Sequence, residues 1–119
     1  MIRIFILEDD DKRIKQFRKN FTNADLTIVK NSKDAIKILR KQLPYDYLFL
    51  DHDLGGKQMV ASGDNTGYEV AKWLSKNKAK KPKFELYVHS LNKPGADNIL
   101  GVLKYGVYIP FVWMKVINF

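Results

Sequence analysis

The sequence predicts an α/β domain, a central parallel sheet with helices on both faces, and three observations carry that reading. Short apolar runs alternate with amphipathic stretches along the whole chain, with no internal repeat or low-complexity segment. The run Tyr47–Asp51 is apolar enough to be buried on both faces, as a central parallel strand must be. At 119 residues, with 45% hydrophobic and 13% aromatic content, the chain can bury a core without staples and reads as one domain over residues 1–119.

In order, Ile2–Leu7 is the first strand. A helix follows over Asp11–Phe21, with Ile14, Phe17 and Phe21 on one face and an aspartate as its cap. Leu26–Val29 is a short second strand. The second helix runs from Ser32 to Gln42, capped by Asn31 or Ser32, with Ala35, Ile36, Leu39 and Leu43 inward and Pro44 ending it. Tyr47–Asp51 is the third strand. The loop from Gly55 to Asn65 is longer than most such connections, and long loops are often functional. Thr66-Gly67-Tyr68-Glu69 has capping-box spacing, so a third helix starts there and runs to Asn77, with Trp73 and Leu74 packing. Phe84–Val88 is the fourth strand. Pro94-Gly95-Ala96 opens a fourth helix that buries Ile99, Leu100 and Leu103 and ends at Gly106. The tail Val107–Phe119 is dense in Val, Ile, Tyr, Phe and Trp and favours strand.

Right-handed crossovers then give a three-layer sandwich of five parallel strands in the flavodoxin-like order 2-1-3-4-5. That order makes neighbours of three polar strand ends: Glu8-Asp9-Asp10-Asp11, Asp51-His52-Asp53 and His89-Ser90-Leu91-Asn92. His52 and His89 are the only histidines, and both lie on the sheet edge where α/β folds place ligands. With no fifth helix over the tail, its apolar face is left open for a homodimer contact.

Composition excludes some chemistries. There is no cysteine, so disulfides and thiolate metal sites are ruled out. The N-terminal apolar run is too short for a signal peptide and no stretch is long enough to span a bilayer, so the expectation is a cytoplasmic protein with no membrane partner. The net charge of +8 favours anionic partners. Its lysines and arginines crowd at 12–19, 30–41 and 72–83, while acids gather at the strand ends. Such lysines serve equally to solvate helix faces.

The chain resembles a receiver domain of two-component signalling. Glu8 and Asp9 match the acidic pair that holds Mg²⁺ in that family, and Asp51 matches its phosphoacceptor. Two positions depart: His89 stands where receivers carry Thr or Ser, and Ile109-Pro110 where they carry Lys-Pro. An isoleucine cannot pair with a phosphoryl oxygen. The departures resemble the cyclic-phosphate-processing receiver-like domains, through Leu50-Asp51-His52-Asp53-Leu54-Gly55-Gly56, Thr66-Gly67, and His89-Ser90-Leu91-Asn92 with Gly95 behind it. The resemblance implies a receiver-like fold and activity on cyclic phosphate ends or cyclic nucleotides.

Glu8, Asp9, Asp51 and Asp53 are hard oxygen ligands, which suits a divalent metal, Mg²⁺ or Mn²⁺, with Zn²⁺ or Fe²⁺ open to a set that includes imidazole. Asp51 and Asp53 rank above His52 as ligands, because alternation along a strand turns His52 elsewhere. His89, in the position that touches the phosphoryl group in receivers, is the first candidate acid or base, with His52 and Asp51 as the other catalytic candidates. Ser90, Asn92, Thr66, Gly67, Gly55 and Gly56 are candidates for binding phosphate, although Ser90 and Asn92 equally suit a turn and a helix cap. Three functions follow: a phosphoesterase for a nucleotide or RNA terminus bearing a cyclic phosphate, a module that sequesters a nucleotide without cleaving it, and a receiver phosphorylated on Asp51.

Overall fold

The computed structural model of the chain describes residues 1–42, 45–56, 59–77 and 84–109. Strands β1 (Ile2–Leu7), β2 (Ala24–Val29), β3 (Tyr47–Leu50), β4 (Glu85–Val88) and β5 (Val107–Tyr108) form one sheet in the order β2-β1-β3-β4-β5. Every pairing is parallel. Helices α1 (Asp11–Asn20), α2 (Ser32–Gln42), α3 (Gly67–Asn77) and α4 (Lys93–Leu103) connect the strands. This is the expected receiver-like, flavodoxin-like architecture.

The pleat of β1 divides the core. Phe5 and Leu7 join Leu48, Leu50, Leu86 and Val88 against α2, α3 and α4, through Ala35, Leu39, Val70, Leu74, Ala96 and Ile99. Ile4 and Ile6 point to the other face and meet Phe17 and Phe21 of α1, together with Phe49. Fully burying each of these large side chains contributes roughly 1.5–3 kcal/mol before entropy is counted. The α1 face also carries partly buried Tyr47, Tyr87 and Ile109. The strand reading of residues 110–119 and the dimer contact built on it lie outside the described residues, as do Leu43, Pro44 and the lysines at 78–83. Among the described residues no helix is long and apolar enough to cross a membrane.

Several boundaries differ from expectation, each for a local reason. β2 starts at Ala24, two residues early, because Ile2 pairs with Ala24 at the start of the ladder. α1 stops at Asn20, and Phe21 serves as its C-cap. β3 ends at Leu50, before Asp51. α4 closes at Leu103 on Lys104, which takes the left-handed conformation with φ 59°, so Gly106 lies beyond the helix. For α2 the cap is Asn31, whose Oδ1 accepts the Asp34 N–H at 2.8 Å. The capping box of α3 does not form. Thr66 Oγ1 donates instead to Gly63 O at 2.7 Å, and the Glu69 carboxylate takes the Asn65 N–H at 2.8 Å and the Ser32 hydroxyl.

The start of α3 is fixed by close approach to β3. The Gly67 N–H donates to His52 O at 2.9 Å, and a Cβ on Gly67 would lie 2.0 Å from Asp51 O. Gly101, within α4, has open space around it. Chemical denaturation should therefore separate them. Gly67→Ala should lose about 2 kcal/mol or more, while Gly101→Ala should be neutral or gain about 0.5–1 kcal/mol. Equal effects would contradict this packing.

Candidate functional site

The strand ends gather as the order requires, but their side chains divide into two networks. Glu8 follows β1, Asp51 follows β3 and His89 follows β4. Their ligand atoms lie within 4.8 Å of one another, and all three side chains are buried. His89 Nε2 sits 3.0 Å from Glu8 Oε1, with the His89 ring edge-on to Phe17 at 5.1 Å. Arg13, from the first turns of α1, reaches the same group. Its Nε lies 3.1 Å from Glu8 Oε1, and one terminal nitrogen lies 3.6 Å from Asp51 Oδ2. Arg13 is the most accessible member of this group, with a side chain 21% exposed.

Each acid of the first strand end has its own task. Glu8 Oε2 accepts the N–H groups of Asp9 and Asp10. Asp9 leans away to take the Gly56 N–H at 2.6 Å, docking the turn formed by Gly55 (φ 71°) and Gly56 (φ 74°). Asp10 caps α1, accepting from Lys12 and Arg13. Asp11 pairs with Lys30 at the surface.

The second network is built on His52 and Asp53. With β3 finished at Leu50, strand alternation does not carry Asp53 to the side of Asp51. The His52 ring is fully buried beneath α4, where a Cβ on Gly95 would meet it at 2.4 Å. Its Nδ1 lies 2.9 Å from Asp53 Oδ1 and its Nε2 lies 2.8 Å from Ser62 Oγ. Asp53 also accepts from the Asn92 amide at 3.0 Å and the N–H groups of Met59 and Val60. Asn92 is the N-cap of α4, accepting from Gly95, and its amide also donates to Val60 O at 2.9 Å. Ser90 Oγ accepts the Asn92 N–H at 3.0 Å. Of the residues expected to bind phosphate, Asn92, Thr66 and Gly67 thus spend these donors inside the protein.

A family model described as the cyclic-phosphate processing receiver domain matches residues 4–105. The chain belongs to that family. No curated protein matches the sequence. Solved receivers share the backbone of this cyclic-phosphate processing receiver domain. The response regulator TrrA from Thermotoga maritima, in complex with Mg²⁺-BeF, superposes with a TM-score of 0.71 at 18% identity, covering 98% of this chain and 93% of that one. The Mn²⁺-bound form of the response regulator Rcp1 gives 0.70 at 16%, covering 98% and 91%. The phosphorylated cyanobacterial phytochrome response regulator RcpA gives 0.70 at 19%, covering 97% and 89%. At these identities the likeness speaks for the fold.

The donor set of this receiver domain suits a divalent cation. Two carboxylates and an imidazole make a mixed oxygen and nitrogen donor set of the kind such cations take. Asp51 Oδ2 is buried and makes no hydrogen bond of normal geometry, although His89, Arg13 and the Ser90 hydroxyl all favour its charged form. Burial, reinforced by the Glu8 charge, outweighs them and pushes Asp51 up to about 6. Burial also opposes the charge on Glu8, but His89, the Asp10 N–H and Arg13 outweigh it and hold Glu8 below its usual range. Asp53 likewise falls, because hydrogen bonds from Asn92, His52, Met59 and Val60 overcome its burial.

Sequence reasoning missed Arg13 and Ser62. Arg13 carries a faint signal, since it stands three residues past the Asp10 cap and so faces back over the end of β1. Ser62 carries none, because an irregular loop has no periodicity to aim a side chain.

Asp51 predicts an unusual pH response in the metal-free protein. Its folded value of about 6 lies above the ordinary 3.8, so the native state binds the extra proton and stability falls as pH rises through that window. The penalty is complete above about pH 6 and amounts to about 3 kcal/mol. In EDTA, Asp51→Asn should raise the denaturation midpoint at pH 7.5 and leave it nearly unchanged at pH 4.5. A variant less stable than wild type at pH 7.5 would contradict this account.

Proposed function

We propose that the chain is a metal-assisted phosphoesterase acting on cyclic phosphates, either 2′,3′-cyclic ends of RNA or cyclic nucleotides. One observation carries the reading: Glu8, Asp51 and His89 converge at the end of the sheet with Arg13 beside them as their accessible cation. Family membership and the Mg²⁺ and Mn²⁺ complexes of solved receivers support it. Glu8, Asp51 and His89 would hold the cation, which supplies Lewis-acid polarisation of a phosphoryl oxygen. Asp9 and Asp53 are engaged elsewhere and stand outside that set.

The chain's own groups complete the task. Arg13 carries a fixed positive charge and a planar fork of donors, so it meets an anionic substrate first and pairs with its non-bridging oxygens. His89 serves as the nitrogen ligand, with Glu8 Oε1 at 3.0 Å from its Nε2 holding the ring in place. Phe17 and Phe49 wall the imidazole from water, which strengthens every electrostatic contact made there. The phosphoacceptor reading loses its cation at Ile109, which packs against the apolar cluster on the α1 face of the sheet. Capture of a nucleotide without cleavage is the second reading, favoured by the complete burial of His89.

With Mn²⁺, 2′,3′-cyclic nucleotides should be opened to 2′- or 3′-monophosphates and cyclic dinucleotides to linear dinucleotides, each gaining one water, read by mass. His89→Ala should lower kcat by about 10²-fold or more, and Arg13→Ala should act mainly on KM. Stoichiometric binding with unchanged ligand recovered would select the second reading. No turnover and no binding with Mn²⁺ or Mg²⁺ would refute both.

A further inference from the structure

The His52 network has the connectivity of a serine nucleophile, and its tautomer follows from counting hydrogens. The Asn92 side-chain amide has two N–H groups, one on Asp53 Oδ1 at 3.0 Å and the other on Val60 O at 2.9 Å. Neither remains for His52 Nδ1, although Asn92 Nδ2 lies 3.3 Å from it. Asp53 accepts the N–H groups of Asn92, Met59 and Val60 on its two oxygens, so His52 Nδ1 is the nitrogen that donates a hydrogen, to Asp53 Oδ1 at 2.9 Å. In the neutral ring Nε2 is then the acceptor, with Ser62 Oγ 2.8 Å away to donate to it.

The supports of this arrangement are rigid on one side and accessible on the other. Gly95 packs against the His52 ring, Asn92 fixes Asp53 from the cap of α4, and Met59 and Val60 add backbone donors to the same carboxylate. Ser62 itself is partly exposed, between exposed Ala61 and Gly63. The exposed Asn98 amide donates to Ser62 Oγ at 2.8 Å and is the side-chain donor in place beside the nucleophile.

We propose that Ser62, His52 and Asp53 form a second, metal-independent centre that hydrolyses carboxylic esters, with Ser62 as nucleophile, His52 as general base and Asp53 as positioning residue. Such a centre is recognised by geometry and roles, not by the order of residues along the chain. Ser62 Oγ bonds to the carbonyl carbon as its proton passes to His52 Nε2. The carbonyl oxygen gains the electron pair and takes the Asn98 N–H. Collapse breaks the bond to the alkoxy group, which leaves with the proton from Nε2. Water then attacks the acyl-serine, with His52 again the base, and releases the acid. A neutral ester is the substrate class because Ser62 Oγ is met by the His52 ring and the Asn98 amide, neither of them a fixed cation that would pair with a phosphodiester, and the far side of that ring faces the Asp53 carboxylate.

The test uses the whole chain in EDTA, so it does not depend on the Glu8–Asp51–His89 group. A fluorophosphonate should add one adduct per chain, mapped to Ser62 by mass, and p-nitrophenyl acetate should be hydrolysed above the buffer rate. Ser62→Ala should lose both while its circular dichroism is unchanged. Asn98→Ala, on an exposed surface, should slow labelling about 10²-fold. A folded wild-type protein that takes no adduct on Ser62, or a Ser62→Ala variant that hydrolyses the ester as fast as wild type, would overturn the proposal.

Discussion

Two carboxylates buried beside one imidazole set the terms for this structure. Taking an ion out of water costs several kcal/mol, and the cost is recovered only where an opposite charge lies close and the hydrogen bonds are complete. Glu8 meets that condition, with His89, Arg13 and two backbone N–H groups on its oxygens. Asp51 does not, and its raised pKa records the shortfall. A hydrophobic residue at Asp51 would relieve the strain, so the acid is retained at a cost to stability. That is the expected balance at a functional position.

The fold places these charges by a simple route. Parallel strands all end on one edge, and the order β2-β1-β3-β4-β5 sets β3 between β1 and β4. Three strand ends therefore meet whatever the helices carry. The tripeptide Asp51-His52-Asp53 is then divided by the turn that follows β3. Gly67 presses against the Asp51 carbonyl and Gly95 against the His52 ring. Asp51 is left with Glu8 and His89, while His52 and Asp53 join α4 and the loop carrying Ser62. Two networks of different chemistry stand side by side, one grouping two carboxylates with an imidazole and one linking His52 to Asp53 and a serine hydroxyl.

Much of this was legible in the sequence, for physical reasons. Period-2 and period-3.6 patterns place β1, α1, α2 and β4 nearly residue by residue, because the side chains that set those periods are the ones buried. The convergence of Glu8, Asp51 and His89 followed from strand order alone. The division between His52 and His89 did not, since it depends on where β3 stops and on two glycines that admit close contact. The fate of Glu69 was hidden similarly: Ser32, distant in sequence, competes for the carboxylate that local spacing assigns to a capping box. Arg13 escaped notice because a basic residue in the first turn of a helix resembles any solvated lysine.

Pulsed EPR of the Mn²⁺-loaded protein tests the central claim most directly. Coordination by Glu8, Asp51 and His89 predicts a single bound Mn²⁺ with hyperfine coupling to one imidazole nitrogen, and loss of that coupling in His89→Ala with the coupling retained in His52→Gln. A bound Mn²⁺ with no nitrogen coupling, or one whose nitrogen signal survives in His89→Ala, would contradict the account.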